Sequence, residues 1–329
     1  MKQTAIKFAD STWNPIRGCQ HAGDDCLNCW AERIAGRYAK RGETYYTIAK
    51  MVNDKPRWTG KVQIVEDKFY DPLLWQDQVA DNFRPGRAAR VIKTVQVANM
   101  SDLFYSKVTD EIRDHAFGVI AQSGTITFQV QTKYPEEMHA YFTHPKVWAR
   151  IERATRKIYK AYNGKAYPSK GHLKGPLRNT WLGVSISDQK TADERISILQ
   201  KIPAAMRYVQ AAPLLGDITL KKYLTGRKRI RWVIAGGESG EDARPCRPAW
   251  MRALRDECQE SKTPFFMHQW GAWLPVNTDQ LKEHCGPNSV LYVWPDGEMS
   301  VNLEKSDIRT MQSFGTLLDG VEWTEVPKY

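Results

Sequence analysis

The chain has 329 residues, 42% apolar and 26% charged, with a formal net charge of +11, which predicts a globular protein with a sizeable core and excludes a disordered one. No run of eighteen apolar residues occurs, so no membrane span is expected, and the segment "MKQTAIKFADSTW" lacks the apolar stretch of a secretory signal. Six cysteines in a chain without such a signal predict reduced thiols and a cytoplasmic location rather than a disulfide framework.

A first strand, near Thr12 to Pro15, leads into a loop that holds three of the six cysteines. The loop reads "RGCQHAGDDCLNCW" over residues 17–30, so that Cys19, Cys26 and Cys29 have the spacing C-x6-C-x2-C. It is polar, contains a glycine and runs directly into the helical pattern "WAERIAGRYAKR". The segment is therefore predicted to be a loop between a strand and a helix.

Three interpretations of these cysteines are open. They are buried thiols without a ligand, or a zinc site completed by a fourth ligand such as His21, or the ligands of a [4Fe-4S] cluster. Structural zinc usually takes two short pairs of ligands, and only one C-x2-C pair is present. Three cysteines hold three irons of a cluster and leave the fourth iron open for a substrate or cofactor, so we favour the cluster. Such a site belongs in a sheltered position at the mouth of a barrel.

Beyond the loop, short apolar segments alternate with helical patterns. The helices begin at caps such as Thr109 and Asp188. Repeated strand–helix units predict an α/β fold with up to eight parallel strands, a full or partial TIM-type (β/α) barrel, with a doubly wound sheet as the alternative. The strand-like segments are "KVQIV" (61–65), "VIKTVQVA" (91–98), "ITFQVQT" (126–132), "TWLGVSI" (180–186), "MRYVQAA" (206–212), "RWVIAGG" (231–237) and "PFFMHQW" (264–270).

Polar residues follow several of these segments where the strand ends. Since functional groups of (β/α) barrels collect at the carboxyl ends of the strands, these residues are candidates for a binding site. In chain order they are Asn99, Ser101, Asp102, Thr132, Lys133, Ser185, and Gly236, Gly237 and Glu238 of "GGESG". Four more residues are candidates for contacts with a substrate, and they are Arg244, His268, Gln269 and Trp270.

Two segments account for the net positive charge of the chain. Residues 150–178 contain nine Lys or Arg and one acid, and residues 221–231 contain six and no acid. Such segments attract phosphate backbones, so a nucleic-acid partner is expected, with DNA favoured. The residues predicted to contact nucleic acid are Lys221, Lys222, Arg227, Lys228 and Arg229.

The domain organisation is predicted from the same patterns. Residues 1–271 form the barrel, and the basic stretch at about 150–178 is an insertion in it. Residues 272–329 form a β-rich extension packed on the barrel, because "VLYVWPDGEMSVNL" is typical of a hairpin that turns at Asp296-Gly297.

Several motifs together resemble one family. They are "TWNPIRGC…CLNCWAER", "ANMSDLF", "QTKYPEEM", "WLGVSISDQKTADERI", "PLLGDITL", "VIAGGESGEDARP", "PFFMHQWG" and "LLDGVEWTEVP". The family is phage- and prophage-encoded, is catalogued as of unknown function, and is similar to a divergent branch of the radical S-adenosylmethionine (SAM) enzymes. The chain departs from the family pattern at Ala212, where a Glu usually precedes "PLLG", and at His268, where a Lys often precedes "QWG".

The resemblance implies a [4Fe-4S] cluster on Cys19, Cys26 and Cys29 and one-electron cleavage of SAM to a 5′-deoxyadenosyl radical. The strand-end residues from Asn99 to Glu238 would then hold SAM, with Asp102 and His268 as catalytic groups and Arg244, Gln269 and Trp270 at the substrate. The implied substrate is a modified base or nucleotide of phage DNA, as in rearrangement of a hypermodified side chain, in the host cytoplasm. An electron donor such as a flavodoxin or ferredoxin is implied too. A non-catalytic, zinc-stabilised nucleic-acid-binding protein is the alternative.

Overall fold

The computed structural model describes residues 6–40, 45–75, 92–161, 173–302 and 316–327. Helices and strands alternate through most of these ranges. The helices are Trp30–Lys40, Glu66–Phe69, Asp110–Gln122, Pro135–Thr143, Val147–Ala161, Gln189–Leu199, Pro248–Glu260 and Thr278–His284. The strands of the largest sheet are β1 (Ser11–Trp13), β2 (Thr94–Val97), β3 (Thr127–Thr132), β4 (Thr180–Ile186), β5 (Met206–Ala211), β6 (Val233–Gly236) and β7 (Phe265–Gln269).

The largest sheet has the strand order β1-β2-β3-β4-β5-β6-β7. Because this order follows the chain without reversal, it is the order of a partial TIM-type (β/α) barrel and not of a doubly wound sheet. The α/β fold class predicted from the sequence is confirmed.

The prediction of an eighth parallel strand at residues 61–65 is wrong. Within the described residues, Gln63–Ile64 pairs antiparallel with Ile16–Arg17 in a small separate sheet. Ile64 is 44% exposed, and in this segment only Val65 is buried. The apolar letters of "KVQIV" therefore do not form the buried face that a strand of the main sheet requires.

Smaller antiparallel sheets accompany the main one. Ala49–Val52 pairs with Lys55–Trp58. Near the C-terminus, Met299–Asn302 lies between Trp273–Val276 and Leu291–Val293. Leu317–Leu318 pairs with Val321–Glu322.

The chain divides into two compact units. The first unit comprises residues 1–21, 31–183 and 198–206, and the second comprises residues 22–30, 184–197 and 207–329. This division does not test the predicted boundary between residues 271 and 272, which stays a prediction.

In the first unit, strands β1 to β3 carry an apolar face that packs on helices. The register places Trp13 beside Val97, and Val97 beside Val130. The ring of Trp13 contacts Phe69 edge-on at 6.0 Å, and Phe69 in turn contacts His115 of helix Asp110–Gln122 at 4.7 Å. The helices therefore cover this face of the strands.

The basic stretch begins on an amphipathic helix of the first unit. Helix Val147–Ala161 buries Val147, Ile151, Thr155 and Ile158. Its Lys and Arg side chains lie outside this buried stripe. The rest of the predicted insertion, from residue 162 to residue 172, lies outside the described residues. Across the described ranges, no helix combines the length and the apolar composition needed to cross a membrane.

In the second unit, the C-terminal segments pack on strands β6 and β7. The indole N–H of Trp270 donates to the carbonyl of Leu317 at 2.8 Å, and that of Trp232 donates to the carbonyl of Glu325 at 2.9 Å. The predicted hairpin is confirmed, because Leu291–Val293 and Met299–Asn302 pair antiparallel. Gly297 in its turn has φ +87°, a conformation that favours glycine.

Replacing Gly237 by Ala should lower the free energy of unfolding by about 2 to 3 kcal/mol. An added Cβ would lie 2.0 Å from the carbonyl oxygen of Trp270, so that the backbone itself would have to shift. Chemical denaturation measures the change. Gly286→Ala is the matched control in the same unit, since no atom lies within 4 Å of its added Cβ. Equal stability of the two variants would contradict this packing.

Candidate functional site

In the second unit, Cys26 and Cys29 lie on a tight turn. The amide of Cys26 donates to the carbonyl of Gly23 at 2.9 Å, and the amide of Cys29 donates to the carbonyl of Cys26 at 3.2 Å. The amide of Ala22 donates to the sulfur of Cys26 at 3.4 Å. Cys26 is buried and Cys29 is half-buried. The contact from the amide of Ala22 therefore fixes the position of the Cys26 sulfur within the turn.

A buried ion pair fixes the residue before Cys26. Nη1 of Arg195 lies 2.8 Å from Oδ2 of Asp25, and the side chain of Asp25 is only 1% exposed. The same Nη1 donates to the carbonyl of Ser185 at 2.8 Å. Since Ser185 is the penultimate residue of β4, Arg195 fastens the cysteine turn to the carboxyl end of that strand.

A second contact fixes the turn between Cys26 and Cys29. Nδ2 of Asn28 donates to Oε2 of Glu238 at 2.9 Å and to the carbonyl of Asp242 at 2.7 Å. Nε and Nη2 of Arg244 donate to the two oxygens of Glu238 at 2.9 and 2.6 Å. Burial opposes ionisation of Glu238, but the hydrogen bonds from Arg244 and Asn28 outweigh it and hold the pKa of this carboxyl below its usual range. Glu238 is therefore an ionised anchor just beyond the end of β6.

The glycines of "GGESG" pack against the backbone of β7 and the loop that follows it. The amide of Gly237 donates to the carbonyl of Gln269 at 2.8 Å. An added Cβ on Gly236 would lie 3.2 Å from that same carbonyl oxygen. The close backbone approach expected at these glycines is present, and its partner in this structure is the protein backbone.

In the first unit, Ser101 holds the backbone next to Cys19. Its hydroxyl donates to the carbonyl of Gly18 at 2.5 Å, and the amide of Gly18 donates to the carbonyl of Met100 at 3.1 Å. The hydroxyl of Tyr134 donates to the carbonyl of Gln20 at 2.8 Å. The half-buried Cys19 therefore lies in a backbone segment that is tied on both sides.

Asp102 joins the carboxyl ends of β2 and β3. Its Oδ1 accepts from the hydroxyl of Thr132 at 2.7 Å and from the amide of Phe104 at 2.9 Å, and its Oδ2 accepts from the amide of Lys133 at 2.9 Å. Burial raises the pKa of Asp102 despite these bonds. The predicted site residues Asp102, Thr132 and Lys133 are thus brought together, with Asp102 in a position to orient the other two.

The remaining predicted site residues differ in how far they are buried. In the second unit, His268 and Gln269 are half-buried at the end of β7, whereas Trp270 is 3% exposed. Ser185 is fully buried, and within the described residues its hydroxyl has no hydrogen-bond partner. In the first unit, Oδ1 of Asn99 is also buried and has no partner among the described residues.

The basic residues of the second unit fall into two groups. Nζ of Lys221 lies 3.4 Å from Glu260, and Nζ of Lys222 lies 2.9 Å from Asp193, so both lysines are in surface ion pairs. The other predicted contact residues, Arg227, Lys228 and Arg229, are exposed. These three side chains are therefore more accessible to a nucleic acid than Lys221 and Lys222.

Sequence reasoning missed Asp25, Asn28 and Arg195. A signal for Arg195 was present, because it lies on the helical stripe with Ala192, Ile196 and Leu199, all of which are buried. A cation on a buried stripe requires an anionic partner. No comparable signal marks Asn28 in the sequence.

The donor set of the loop suits an iron–sulfur cluster. Cys19, Cys26 and Cys29 are thiols and not disulfides, and soft thiolates are the ligands of such clusters. Within the described ranges, no group of three or more His, Cys, Asp or Glu side chains is close enough together to coordinate a metal ion. His21, the fourth ligand considered for zinc, has its Nε2 at 3.0 Å from Oε2 of Glu32 in the first unit.

One family model matches almost the whole chain. It is DUF5131, described as a protein of unknown function, and it matches residues 3–327. The chain belongs to this family. No curated protein matches the chain.

Among solved structures, the chain is similar to spore photoproduct lyase. A Tyr-to-Phe mutant of that enzyme has 13% sequence identity and a TM-score of 0.36, covering 92% of this chain and 71% of that chain. Spore photoproduct lyase complexed with dinucleoside spore photoproduct has 12% identity and a TM-score of 0.37, with the same coverage. Similarity at this level assigns neither an activity nor a substrate to the present chain.

Proposed function

We propose that this protein is a radical SAM enzyme that binds a [4Fe-4S] cluster through Cys19, Cys26 and Cys29 and acts on a nucleobase or nucleotide of DNA. The observation that carries the proposal is the double anchoring of the cysteine turn in the second unit. Asp25 ties it to the carboxyl end of β4, and Asn28 ties it to Glu238 beyond β6. The carboxyl ends of the strands are where (β/α) barrels assemble their active sites.

With one electron from a donor protein, a bound cluster would supply reductive cleavage of a carbon–sulfur bond of SAM to methionine and a 5′-deoxyadenosyl radical. The chain has to hold the thiolates, orient the cosubstrate and exclude water. The amide of Ala22 holds the sulfur of Cys26 in place. The Arg195–Asp25 pair and the Asn28–Glu238 bond limit movement of the turn, so the ligands are preorganised before the cluster binds.

Polar groups near the strand ends are available for SAM or substrate. In the second unit, the buried Ser185 hydroxyl has no partner within the described chain, and a bound ligand would supply one. In the first unit, Asp102 orients the hydroxyl of Thr132 and the amide of Lys133. We further propose His268 as a group that holds or moves a proton, and Arg244 and Gln269 as substrate contacts.

DNA is proposed as the substrate because of the basic segment. Arg227, Lys228 and Arg229 are exposed in a stretch, residues 221–231, that contains no acid. Three exposed cations in a stretch without acids favour contact with the phosphate backbone of a nucleic acid. A small apolar substrate would not require them. The proposed reaction is a rearrangement of the side chain of a modified base.

Changing Arg227, Lys228 and Arg229 together to Gln should weaken DNA binding. Each lost phosphate contact reduces the slope of log K against log salt by about 0.9. Fluorescence anisotropy with a duplex at several salt concentrations measures the slope. Lys221→Gln is the control and should change it less, because this lysine already pairs with Glu260. An unchanged slope in the triple variant would point to a free nucleoside and contradict DNA as the substrate.

A further inference from the structure

Strands β1 to β3 carry a polar stripe on the face opposite the helix-covered one. The register places Thr12 beside Gln96, and Gln96 beside Gln129. Gln131 lies two residues beyond Gln129, on the same face. Strands of a buried parallel sheet are usually apolar on both faces, so three glutamines on one face are unusual.

The carbonyl oxygens of these glutamines are buried and unsatisfied within the described residues. Gln129 is fully buried, and Gln96 is 7% exposed. Within the described ranges, no donor reaches Oε1 of Gln96, Gln129 or Gln131, or Oδ1 of Asn99, which follows β2. A buried carbonyl without a donor loses the hydrogen bonds that water would have given it, and this destabilises the ligand-free chain. Several such groups on one face indicate that a ligand supplies the missing donors.

One contact holds the inner end of the stripe in place. Nε2 of Gln129 donates to the carbonyl of Phe8 at 3.0 Å, so its carboxamide has a fixed orientation. Gln131 and Asn99 are half-buried and lie toward the carboxyl ends of the strands. A ligand that enters at the strand ends would meet these two residues first.

The polar groups of the stripe are complementary to a neutral, planar heterocycle. A carboxamide offers both an acceptor and a donor, and it pairs with the edge of a nucleobase in the same way as it pairs with another amide. None of the stripe residues is charged, so a phosphate would find no cation there. An apolar group would leave the oxygens unpaired.

We propose that Gln96, Gln131 and Asn99 bind the hydrogen-bonding edge of a nucleobase, with Gln129 supporting them from below. The inference rests on the proposed function and deepens it, since it names the group that the first unit recognises. Two sources share this chemistry, the base of the substrate and the adenine of SAM.

The test compares ligand binding with thermal stability. Gln96→Met and Gln131→Met keep the length of the side chain and remove the carboxamide. We expect each to weaken binding of one nucleobase ligand about tenfold and to raise the midpoint of thermal unfolding of the ligand-free chain. A merely structural glutamine would give a lower midpoint. Isothermal calorimetry on the full chain with the four deoxynucleosides and with SAM shows which source is bound.

Gln122→Met is the matched control. Gln122 is also buried with a buried Oε1, but it ends the helix Asp110–Gln122 and does not lie on the stripe, and its Nε2 donates to the carbonyl of Thr155 at 3.0 Å. It should lower the unfolding midpoint and leave ligand binding unchanged.

The inference is overturned if the wild type binds none of these ligands, or if affinity is unchanged in both Gln96→Met and Gln131→Met. In the latter case the oxygens are satisfied by water alone. Because binding is measured without a cluster, these outcomes are separate from a failure of SAM cleavage, which would overturn the proposed function.

Discussion

Replacing Arg195 by Met should lower the free energy of unfolding by about 3 kcal/mol and reduce retention of iron. The reason is that the buried carboxylate of Asp25 would lose its guanidinium partner, at 2.8 Å in the native chain. Removing one partner of a buried ion pair is far more costly than removing the pair. Chemical denaturation and iron analysis measure the two effects.

Two further variants make this result specific. In the double variant with Asp25→Asn and Arg195→Met, part of the stability should return, because no buried charge remains. Lys222→Met removes an exposed partner of Asp193 in the same unit and should leave stability nearly unchanged. If Arg195→Met behaved like Lys222→Met, the cysteine turn would not depend on this pair.

Replacing any one of Cys19, Cys26 and Cys29 by Ser should abolish cluster binding and reduce SAM cleavage to background. Serine is nearly isosteric with cysteine, but its alkoxide is a poor ligand for iron, so the fold should be retained while the metal is lost. Absorbance of the reconstituted protein near the visible charge-transfer bands, together with 5′-deoxyadenosine formation, measures the effect.

Cys285→Ser is the control for these variants. Cys285 is half-buried after the helix Thr278–His284 and has no metal-binding spacing with another cysteine. It should retain both the cluster and the activity. A cluster that survives in Cys19→Ser, Cys26→Ser or Cys29→Ser would show that the missing residue is not a ligand.

The arrangement of the sheet was predictable because it depends on local patterns. Continuous apolar segments gave six of the seven main strands, β2 to β7, and capping residues gave helix starts. Thr109 accepts from the amide of Ile112 at 3.4 Å, and Asp188 accepts from the amide of Thr191 at 2.7 Å. The segment at residues 61–65 failed because its apolar letters do not share one buried face.

The anchoring of the site was not predictable, because it depends on contacts distant in sequence. Asn28 and Glu238 are 210 residues apart, and Asp25 and Arg195 are 170 residues apart. Glu238 was expected to bind the cofactor, and in the structure both of its oxygens hold Arg244 and Asn28. A motif shows that a carboxylate is present, but its hydrogen-bond partners are known only from the fold.

The glutamine stripe shows a different limit of sequence reasoning. Gln96 and Gln129 lie inside apolar segments, where single polar letters do not change the assignment of a strand. Only the register shows that they are neighbours on one face, and only burial shows that their oxygens are unsatisfied.

The most direct test of the central claim is a metal and product analysis of the wild-type chain prepared without oxygen. The account predicts a brown protein with about four iron and four sulfide per chain, which forms 5′-deoxyadenosine when SAM and dithionite are added. A colourless protein that contains one zinc and forms no 5′-deoxyadenosine under the same conditions would contradict it.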